Sequence, residues 1–283
     1  MTILAPRSMA ELHRDLAAQP DAHLVAGGTD LMVEVNYGLR RPESVISLRQ
    51  VKGLRSWEVV GDRMRLGSGV TWTDILGPQL ARLQPALAQA ARTVGSPQIR
   101  NAGTIGGNVG TASPAGDGLP VLYALEAQVV LGSLRGQRTM PIDEFISGPK
   151  RTQIASDEVI EALDLPLLDG PQSFSKIGTR NAMVISVAGL ALVFDRQGQT
   201  VRCALGSVGP TILRAHAAEE MIARAIQWDA PEELILEDSA AIVTFGELVA
   251  EAARPIDDHR STAVYRRHAV AVMARRGLMR CLS

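Results

Sequence analysis

The chain has 283 residues, 46% hydrophobic and 21% charged, a composition typical of a globular protein with a substantial core. Its 29 Lys and Arg residues nearly balance 30 Asp and Glu residues, which argues against broad electrostatic binding to nucleic acid or an anionic membrane. The two cysteines, Cys203 and Cys281, form no CxxC pair, so this chain alone is not expected to hold an iron–sulfur cluster or a cysteine-rich zinc site.

The N-terminal 21 residues lack a basic stretch followed by an apolar segment, so no signal peptide is predicted. The longest apolar stretch, residues 184–194, is too short to span a bilayer. A sparse pair of cysteines fits a reducing compartment better than an oxidising one, although the sequence alone does not exclude a disulfide between Cys203 and Cys281. We therefore expect a cytoplasmic protein without a membrane span.

The first 70 residues carry local signals for alternating strands and helices. Residues 8–18 have helical spacing with Ser8 as a plausible N-cap. A strand over 23–26, a helix over 30–37 and a strand over 44–48 predict a small βαβ unit. Gly61-Asp62 lies between two β-rich runs and predicts a hairpin.

The pattern changes around residues 164–173, where prolines and a glycine indicate a linker and a domain boundary near residue 170. Before it, we expect one helix over 80–94, a short helix over 119–125 and a strand over 127–132. After it, we expect strands over 186–194 and 200–207 and helices over 217–226, 245–253 and 262–279. The chain is thus predicted to be α+β, with domains 1–170 (subdomains of about 1–55 and 56–170) and 171–283.

The first candidate site is the glycine-rich segment Ala26, Gly27, Gly28, Thr29 and Asp30, which follows a short apolar run. Glycines allow a sharp bend and let backbone N–H groups approach phosphate oxygens, and Thr29 adds a hydroxyl. Asp30 is less expected beside phosphate and is suited to capping a helix or to accepting from a ribose hydroxyl. An ordinary strand-to-helix turn is the alternative, since one short glycine motif is weak evidence.

The second candidate site comprises Thr104, Ile105, Gly106, Gly107 and Asn108, with Asp117 nine residues further on. Thr104 and Asn108 offer hydrogen bonds, and Asp117 could accept from ribose hydroxyls or simply form a turn. The segment is neither a Walker loop nor the GxGxxG fingerprint. Two glycine-rich segments whose backbone is not covered by side chains suggest that the chain binds one extended, phosphate-bearing ligand.

Segments 26–30, 98–108 and 113–117 resemble the flavin-binding segments of the medium subunits of molybdenum hydroxylases. This family includes the FAD subunits or domains of xanthine dehydrogenase, aerobic carbon monoxide dehydrogenase and 4-hydroxybenzoyl-CoA reductase. Further segments, 174–180, 205–211 and 257–267, are similar to the family's Lys-x-x-x-Arg segment, its C-terminal glycine-rich turn and its closing helix. Several motifs in the family's order are far more specific than any one of them.

The resemblance implies a vanillyl-alcohol-oxidase-type (PCMH-type) FAD-binding domain of two α/β subdomains. A C-terminal domain with a small antiparallel sheet and helices follows it. It also implies that both glycine segments wrap the pyrophosphate of a noncovalent FAD and that Asp117 holds the ribose end. Lys176 is implied to reach the flavin and Ile160 to make an apolar contact with it. Val94 lies where xanthine dehydrogenases carry an aromatic residue against the flavin ring.

The resemblance further implies a subunit of a heterotrimeric molybdenum hydroxylase, xanthine dehydrogenase-like, with no catalytic acid or base and no metal ligand of its own. A small partner with two [2Fe-2S] clusters would supply electrons, a large partner would carry molybdopterin, and NAD⁺ or another acceptor would receive the electrons through FAD. Two alternatives remain open: a stand-alone FAD-dependent reductase or oxidase, and a non-redox nucleotide-binding module.

Several charged residues have a plainer interpretation than a functional one. A lysine near a domain start, such as Lys176, is usually a solvated surface residue. Arg180 is expected to be structural, pairing with a carboxylate. The C-terminal arginines are expected either to line the solvent side of a helix or to form a contact face for a partner, and they are Arg266, Arg267, Arg275, Arg276 and Arg280.

Overall fold

The computed structural model describes residues 2–229, 234–236 and 238–282. The N-terminal part contains β1 (Thr2–Leu4), α1 (Met9–Ala18), β2 (His23–Val25), α2 (Leu31–Asn36), β3 (Ser44–Ser47), β4 (Trp57–Val60), β5 (Arg63–Gly67) and α3 (Trp72–Ile75). A helical stretch follows with α4 (Pro78–Leu83), α5 (Pro85–Thr93), α6 (Pro97–Ala102), α7 (Ile105–Thr111) and α8 (Gly118–Ala124).

The chain then returns to strands with β6 (Gln128–Ser133), β7 (Gly136–Pro141), α9 (Ile142–Phe145), β8 (Ile146–Gly148), β9 (Arg151–Thr152) and β10 (Val159–Pro166). The C-terminal part contains β11 (Gln172–Ile177), β12 (Ala188–Asp195), β13 (Thr200–Gly206), β14 (Leu213–Arg214), α10 (His216–Ala225), β15 (Ile226–Gln227), β16 (Ile235–Leu236), α11 (Ala240–Ala252) and α12 (Ala263–Leu282).

These elements form two compact units. Unit 1 comprises the described parts of Met1–Ile75, Ser96–Ala112 and Glu126–Pro166; unit 2 comprises those of Leu76–Gly95, Ser113–Leu125 and Leu167–Ser283. Two segments from the first 125 residues therefore pack with the C-terminal part of the chain. The boundary near residue 170 and the two predicted subdomains stay predictions.

Unit 1 contains a parallel sheet of order β1-β3-β2 and an antiparallel sheet of order β4-β5-β10-β6-β7. The parallel pairing of β2 with β3 around α2 confirms the predicted βαβ unit, and β4 and β5 form the predicted hairpin. Leu12 and Leu16 of α1 pack with Ile46 in a core that also includes Val51, Leu54 and Val159. Ser8 caps α1 by accepting from the Glu11 N–H, as predicted.

Unit 2 contains an antiparallel sheet of order β11-β12-β13-β14. Apolar residues of β12 and β13 form its core together with α10, α11 and α12. The fold class predicted from the sequence, α+β with an antiparallel sheet and helices after the N-terminal region, is confirmed.

The prediction of one helix over 80–94 is wrong in one respect, because the helix is interrupted at Gln84, between α4 and α5. Proline at position 85 lacks a backbone N–H and disfavours helical geometry in the residue before it. Gln84 accordingly has φ −135° and ψ 71°, and Pro85 begins a new helix.

We expect Asp74→Asn to reduce the loss of stability of unit 1 in acid. Asp74 accepts from Arg55 at 2.8 Å and from the Thr71 N–H at 3.0 Å, and the Arg55 guanidinium chiefly lowers the pKa of Asp74 from 3.8 to about 2. Since the folded-state pKa is depressed, this stabilisation is present above about pH 4 and is lost as pH falls toward 2. Urea unfolding at neutral and acidic pH measures it, and the contribution should not exceed about 2 kcal/mol. An identical acid response of the variant and the wild type would contradict this assignment.

Candidate functional site

The first glycine segment, residues 26–30, connects the end of β2 to the start of α2. Gly28 has φ +70°, a left-handed conformation that favours glycine. A Cβ on Gly27 would lie 1.9 Å from the carbonyl oxygen of Ala102, so the two backbones touch at this point. Gly27 is therefore required by close backbone approach, and its partner, Ala102, lies two residues before the second glycine segment.

The second glycine segment is helical rather than a turn. Thr104 is the N-cap of α7, and its hydroxyl accepts from the Gly107 N–H at 3.0 Å. Gly106 donates to the Ser68 carbonyl at 2.9 Å, and a Cβ on Gly106 would lie 2.4 Å from that of Ser68. Glycine is thus needed at position 106 for packing, whereas Gly107 is exposed.

The two segments also meet through side chains. Thr111, at the end of α7, donates to Asp30 at 3.5 Å. Asp30 is the N-cap residue of α2, but its side chain makes no capping hydrogen bond. The predicted pyrophosphate-binding residues of unit 1 are therefore brought together: Ala26, Gly27, Gly28, Thr29 and Asp30 with Thr104, Ile105, Gly106, Gly107 and Asn108.

Asn108 and Ile160 of unit 1 could both contact a bound ligand. The Asn108 carboxamide oxygen is buried and has no hydrogen-bond partner among the described residues, so a hydroxyl-bearing ligand could supply the missing donor. Ile160 lies at a β-bulge of β10, and its Cδ1 would be 3.6 Å from a Cβ on Gly110 of α7. The predicted apolar contact residue thus lies against the helix of the second glycine segment.

Unit 2 contains the other predicted site residues, and two of them form a buried ion pair. Lys176 of β11 donates to Asp117 at 2.6 Å and to the Thr93 carbonyl at 3.2 Å. Its side chain is 9% exposed and that of Asp117 is 6% exposed, so the interpretation of Lys176 as a solvated surface residue is wrong. Val94 is half-buried and directly follows Thr93, at the end of α5.

Burial and the neighbouring Lys176 have opposite effects on the pKa of Asp117. Burial raises the pKa of its carboxyl, and the ammonium of Lys176 opposes that effect. Thr93 Oγ1 lies 2.9 Å from Asp117 Oδ2. The other carboxylate oxygen, Oδ1, is buried without a hydrogen-bond partner among the described residues, which leaves one acceptor for a ligand.

Two predictions about arginines are wrong. Arg266 does not line the solvent side of α12: it is 2% exposed and donates to the Ser207 carbonyl at 2.7 Å and to Asp258 at 2.6 Å. Arg180 donates to the carbonyls of Ala182 and Met183, and no carboxylate of the described residues pairs with it. Arg266 is a structural residue of unit 2, because its guanidinium holds the turn after β13.

The described residues contain no group of three or more His, Cys, Asp or Glu side chains that could hold a metal ion. Cys203 and Cys281 are buried free thiols, and burial raises the pKa of Cys281 to about 12. Among the helices of the described part, none is both long and apolar enough to cross a membrane.

Comparison with known proteins covers both parts of the chain. Residues 1–168 match the family described as the FAD binding domain in molybdopterin dehydrogenase, and residues 173–281 match the CO dehydrogenase flavoprotein C-terminal domain. The chain is 36% identical over 235 residues to the nicotinate dehydrogenase FAD-subunit of Eubacterium barkeri, an alignment that covers 78% of this chain and 79% of that protein.

Similarity to carbon monoxide dehydrogenase extends over nearly the whole length. The chain is 29% identical over 282 residues to the medium chain from Hydrogenophaga pseudoflava, covering 97% of this chain and 94% of that one. A solved structure of carbon monoxide dehydrogenase from the same organism, which lacks the Mo-pyranopterin moiety of the molybdenum cofactor, matches with a TM-score of 0.87. The sequence identity is 28%, and the match covers 99% of this chain and 96% of that chain.

The fold and these matches define a flavoprotein, an FAD-binding subunit of an oxidoreductase. The chain belongs to the FAD-binding medium subunits of the molybdenum hydroxylases. The family resemblance inferred from the glycine segments is thereby confirmed.

Proposed function

We propose that this chain holds one noncovalent FAD within a heterotrimeric molybdenum hydroxylase. In this role it carries electrons from the [2Fe-2S] clusters of a small partner to NAD⁺ or another acceptor. A large partner with molybdopterin would act on the organic substrate. When bound, FAD supplies the capacity to take up electrons and deliver them as a hydride. The backbone contact between Gly27 and Ala102, which places the first glycine segment beside the residues that lead into the second, is the single observation that best supports this proposal.

In unit 1, the residues present fit the phosphate-bearing part of FAD. Gly28 lacks a side chain, and the exposed Gly107 leaves the first turn of α7 uncovered, as close approach of a diphosphate to the backbone requires. We assign the pyrophosphate of FAD to segments 26–30 and 104–108. The buried carboxamide oxygen of Asn108 would accept a hydrogen bond from a hydroxyl of the cofactor. Ile160 supplies an apolar contact.

In unit 2, we assign Asp117 to a ribose hydroxyl, because its Oδ1 is buried and lacks a donor. Lys176 donates to the other oxygen of that carboxylate and is thereby fixed in place. A fixed cation beside a flavin would favour its anionic reduced form, so we include Lys176 and the neighbouring Val94 in the cofactor site. We place the protein in the cytoplasm, since its buried thiols are unpaired.

Gly107→Ala separates cofactor binding from folding. Gly107 is an exposed helical residue, and an added Cβ would meet only Thr104 Oγ1, at 3.1 Å. Alanine favours a helix by up to about 1 kcal/mol over glycine, so the free energy of unfolding should be unchanged or raised. FAD affinity should fall about tenfold, equivalent to about 1.4 kcal/mol, because the methyl group covers the backbone that approaches the diphosphate. Fluorescence titration with FAD measures this effect.

The matched control is Gly148→Ala, since a Cβ there would have its nearest neighbour, Arg151 Cδ, at 3.7 Å. This control should bind FAD as the wild type does. Equal FAD affinity of Gly107→Ala and wild type would contradict the assignment of the second glycine segment to the cofactor.

The role as a subunit is tested by purifying the tagged chain from its native host. We expect two partner proteins to co-purify, with iron, labile sulfide and molybdenum in the complex but not in this chain. A chain that purifies alone with FAD and oxidises or reduces a small substrate would favour the stand-alone enzyme. A colourless chain that stays flavin-free after FAD is added would favour the non-redox module.

A further inference from the structure

A lysine that the sequence analysis did not single out joins the elements that follow the two glycine segments. Lys150 lies in the turn between β8 and β9, and its backbone N–H donates to the carbonyl of Ala112 at 3.0 Å. Ala112 is the C-cap of α7. Lys150 and Ala112 both have left-handed backbones, with φ +55° and +49°, which is unfavourable for residues other than glycine. A hydrogen bond therefore joins two strained positions at the end of α7.

The Lys150 side chain reaches the other glycine segment's helix. Its ammonium donates to Glu34 Oε1 of α2 at 2.8 Å, and Arg40 Nε lies 2.9 Å from the second oxygen of Glu34. Since α2 begins directly after Asp30, the backbone of Lys150 contacts the helix of the second segment and its side chain contacts the helix of the first. Lys150 thus connects α2 with α7 independently of the contact at Gly27.

The local charges explain why a cation is needed here. Asp30 lies within the first glycine segment and Glu34 one helical turn later, so two carboxylates flank the position that we assign to a diphosphate. Their charges would repel an anionic ligand. The hydrogen bond with Glu34 raises the pKa of Lys150, and the charge of Asp30 contributes in the same direction. The ammonium of Lys150 directly contacts the carboxylate of Glu34.

We propose that Lys150 is a positioning residue for FAD: it neutralises the carboxylate of Glu34 and holds α2 against the end of α7. The inference rests on the proposed FAD site in unit 1. It assigns no direct contact between Lys150 and the cofactor, because the ammonium is already bound to Glu34.

A role in cofactor binding can be distinguished from a role in stability. The Lys150 side chain is 56% exposed and that of Glu34 is 19% exposed, and exposed ion pairs add little to folding. Lys150→Met should therefore leave the urea unfolding midpoint of the apoprotein close to that of the wild type. FAD affinity should fall about tenfold at low ionic strength and by less at about 1 M salt, where charges are screened over about 3 Å.

The test is a fluorescence titration of each apoprotein with FAD at low and high salt. Lys52→Met is the matched control, since Lys52 is exposed and its loss removes the same charge from unit 1. Lys150→Arg should recover most of the affinity. Glu34→Gln combined with Lys150→Met should bind FAD more tightly than Lys150→Met alone, because Lys150→Met leaves Arg40 as the cation beside the Glu34 carboxylate and the double variant removes that negative charge.

Each outcome decides the inference. Wild-type affinity in Lys150→Met overturns it while leaving the proposed FAD site intact. An affinity in the double variant as low as in Lys150→Met also overturns it, since the lysine would then act on the cofactor itself and not through Glu34. A wild-type chain that fails to bind FAD overturns the proposed function and this inference together.

Discussion

Lys176→Met is expected to destabilise unit 2 by about 3–5 kcal/mol, as is typical when one partner of a buried ion pair is removed. The ammonium of Lys176 lies 2.6 Å from Asp117, and both side chains are almost fully buried. Without the lysine, the carboxylate of Asp117 would have to stay charged in a desolvated site or take up a proton. Urea unfolding of the apoprotein followed by circular dichroism measures the loss.

The control for Lys176→Met is again Lys52→Met, which removes an exposed lysine. A double variant with Asp117→Asn should be less destabilised than Lys176→Met alone, because it leaves no buried charge uncompensated. Unfolding of Lys176→Met at the same urea concentration as the wild type would show that the pair does not hold unit 2 together.

Gly27→Ala is expected to destabilise unit 1 by about 3 kcal/mol, the upper part of the usual range for overpacking. The new Cβ would lie 1.9 Å from the Ala102 oxygen, 2.5 Å from its carbonyl carbon and 2.9 Å from the Gly103 nitrogen. All three are backbone atoms, so the first glycine segment would have to move away from Ala102 and Gly103. FAD affinity should fall by more than about tenfold, or about 1.4 kcal/mol, in the same titration.

The neighbouring glycine provides a graded comparison for this prediction. A Cβ on Gly28 would have no neighbour closer than 3.5 Å, and its cost arises only from φ +70°. A left-handed conformation costs an ordinary residue about 1–2 kcal/mol, so Gly28→Ala should be the milder variant. If Gly27→Ala were as stable as Gly28→Ala, the close backbone approach at Ala102 would not exist in solution.

The elements that could be predicted from the sequence are those with local signals. The α1 helix follows from its apolar spacing and from Ser8, and the β4–β5 hairpin follows from Gly61-Asp62. Both depend on residues only a few positions apart. The break at Gln84 also had a local signal, the proline at position 85, which the apolar periodicity of residues 80–94 obscured.

The features that could not be predicted depend on tertiary contacts between distant positions. Lys176 is 59 residues from Asp117, and Lys150 is 116 residues from Glu34. In the sequence, Arg266 cannot be distinguished from a surface arginine of a helix. Its partners, Ser207 and Asp258, come close to it only in the folded chain. No spacing rule identifies such pairs, because burial and charge compensation are decided only after the units have packed.

The second glycine segment illustrates both situations. Its glycines, together with the other motifs, indicated the family, but the helical conformation of α7 was not predicted, since glycine disfavours helices. The structure supplies the compensating interactions, namely the Thr104 cap and the hydrogen bond from Gly106 to Ser68. Intrinsic propensity is overridden here because small residues allow the helix to pack closely.

In the proposed function, FAD binds to this chain alone through the two glycine segments. The most direct test is titration of the purified apoprotein with FAD, followed by flavin fluorescence and absorbance. We predict saturation at one FAD per chain, release of intact FAD on denaturation, and weaker binding in Gly27→Ala and Gly107→Ala. A folded chain that neither quenches flavin fluorescence nor retains FAD would contradict FAD binding at the glycine segments.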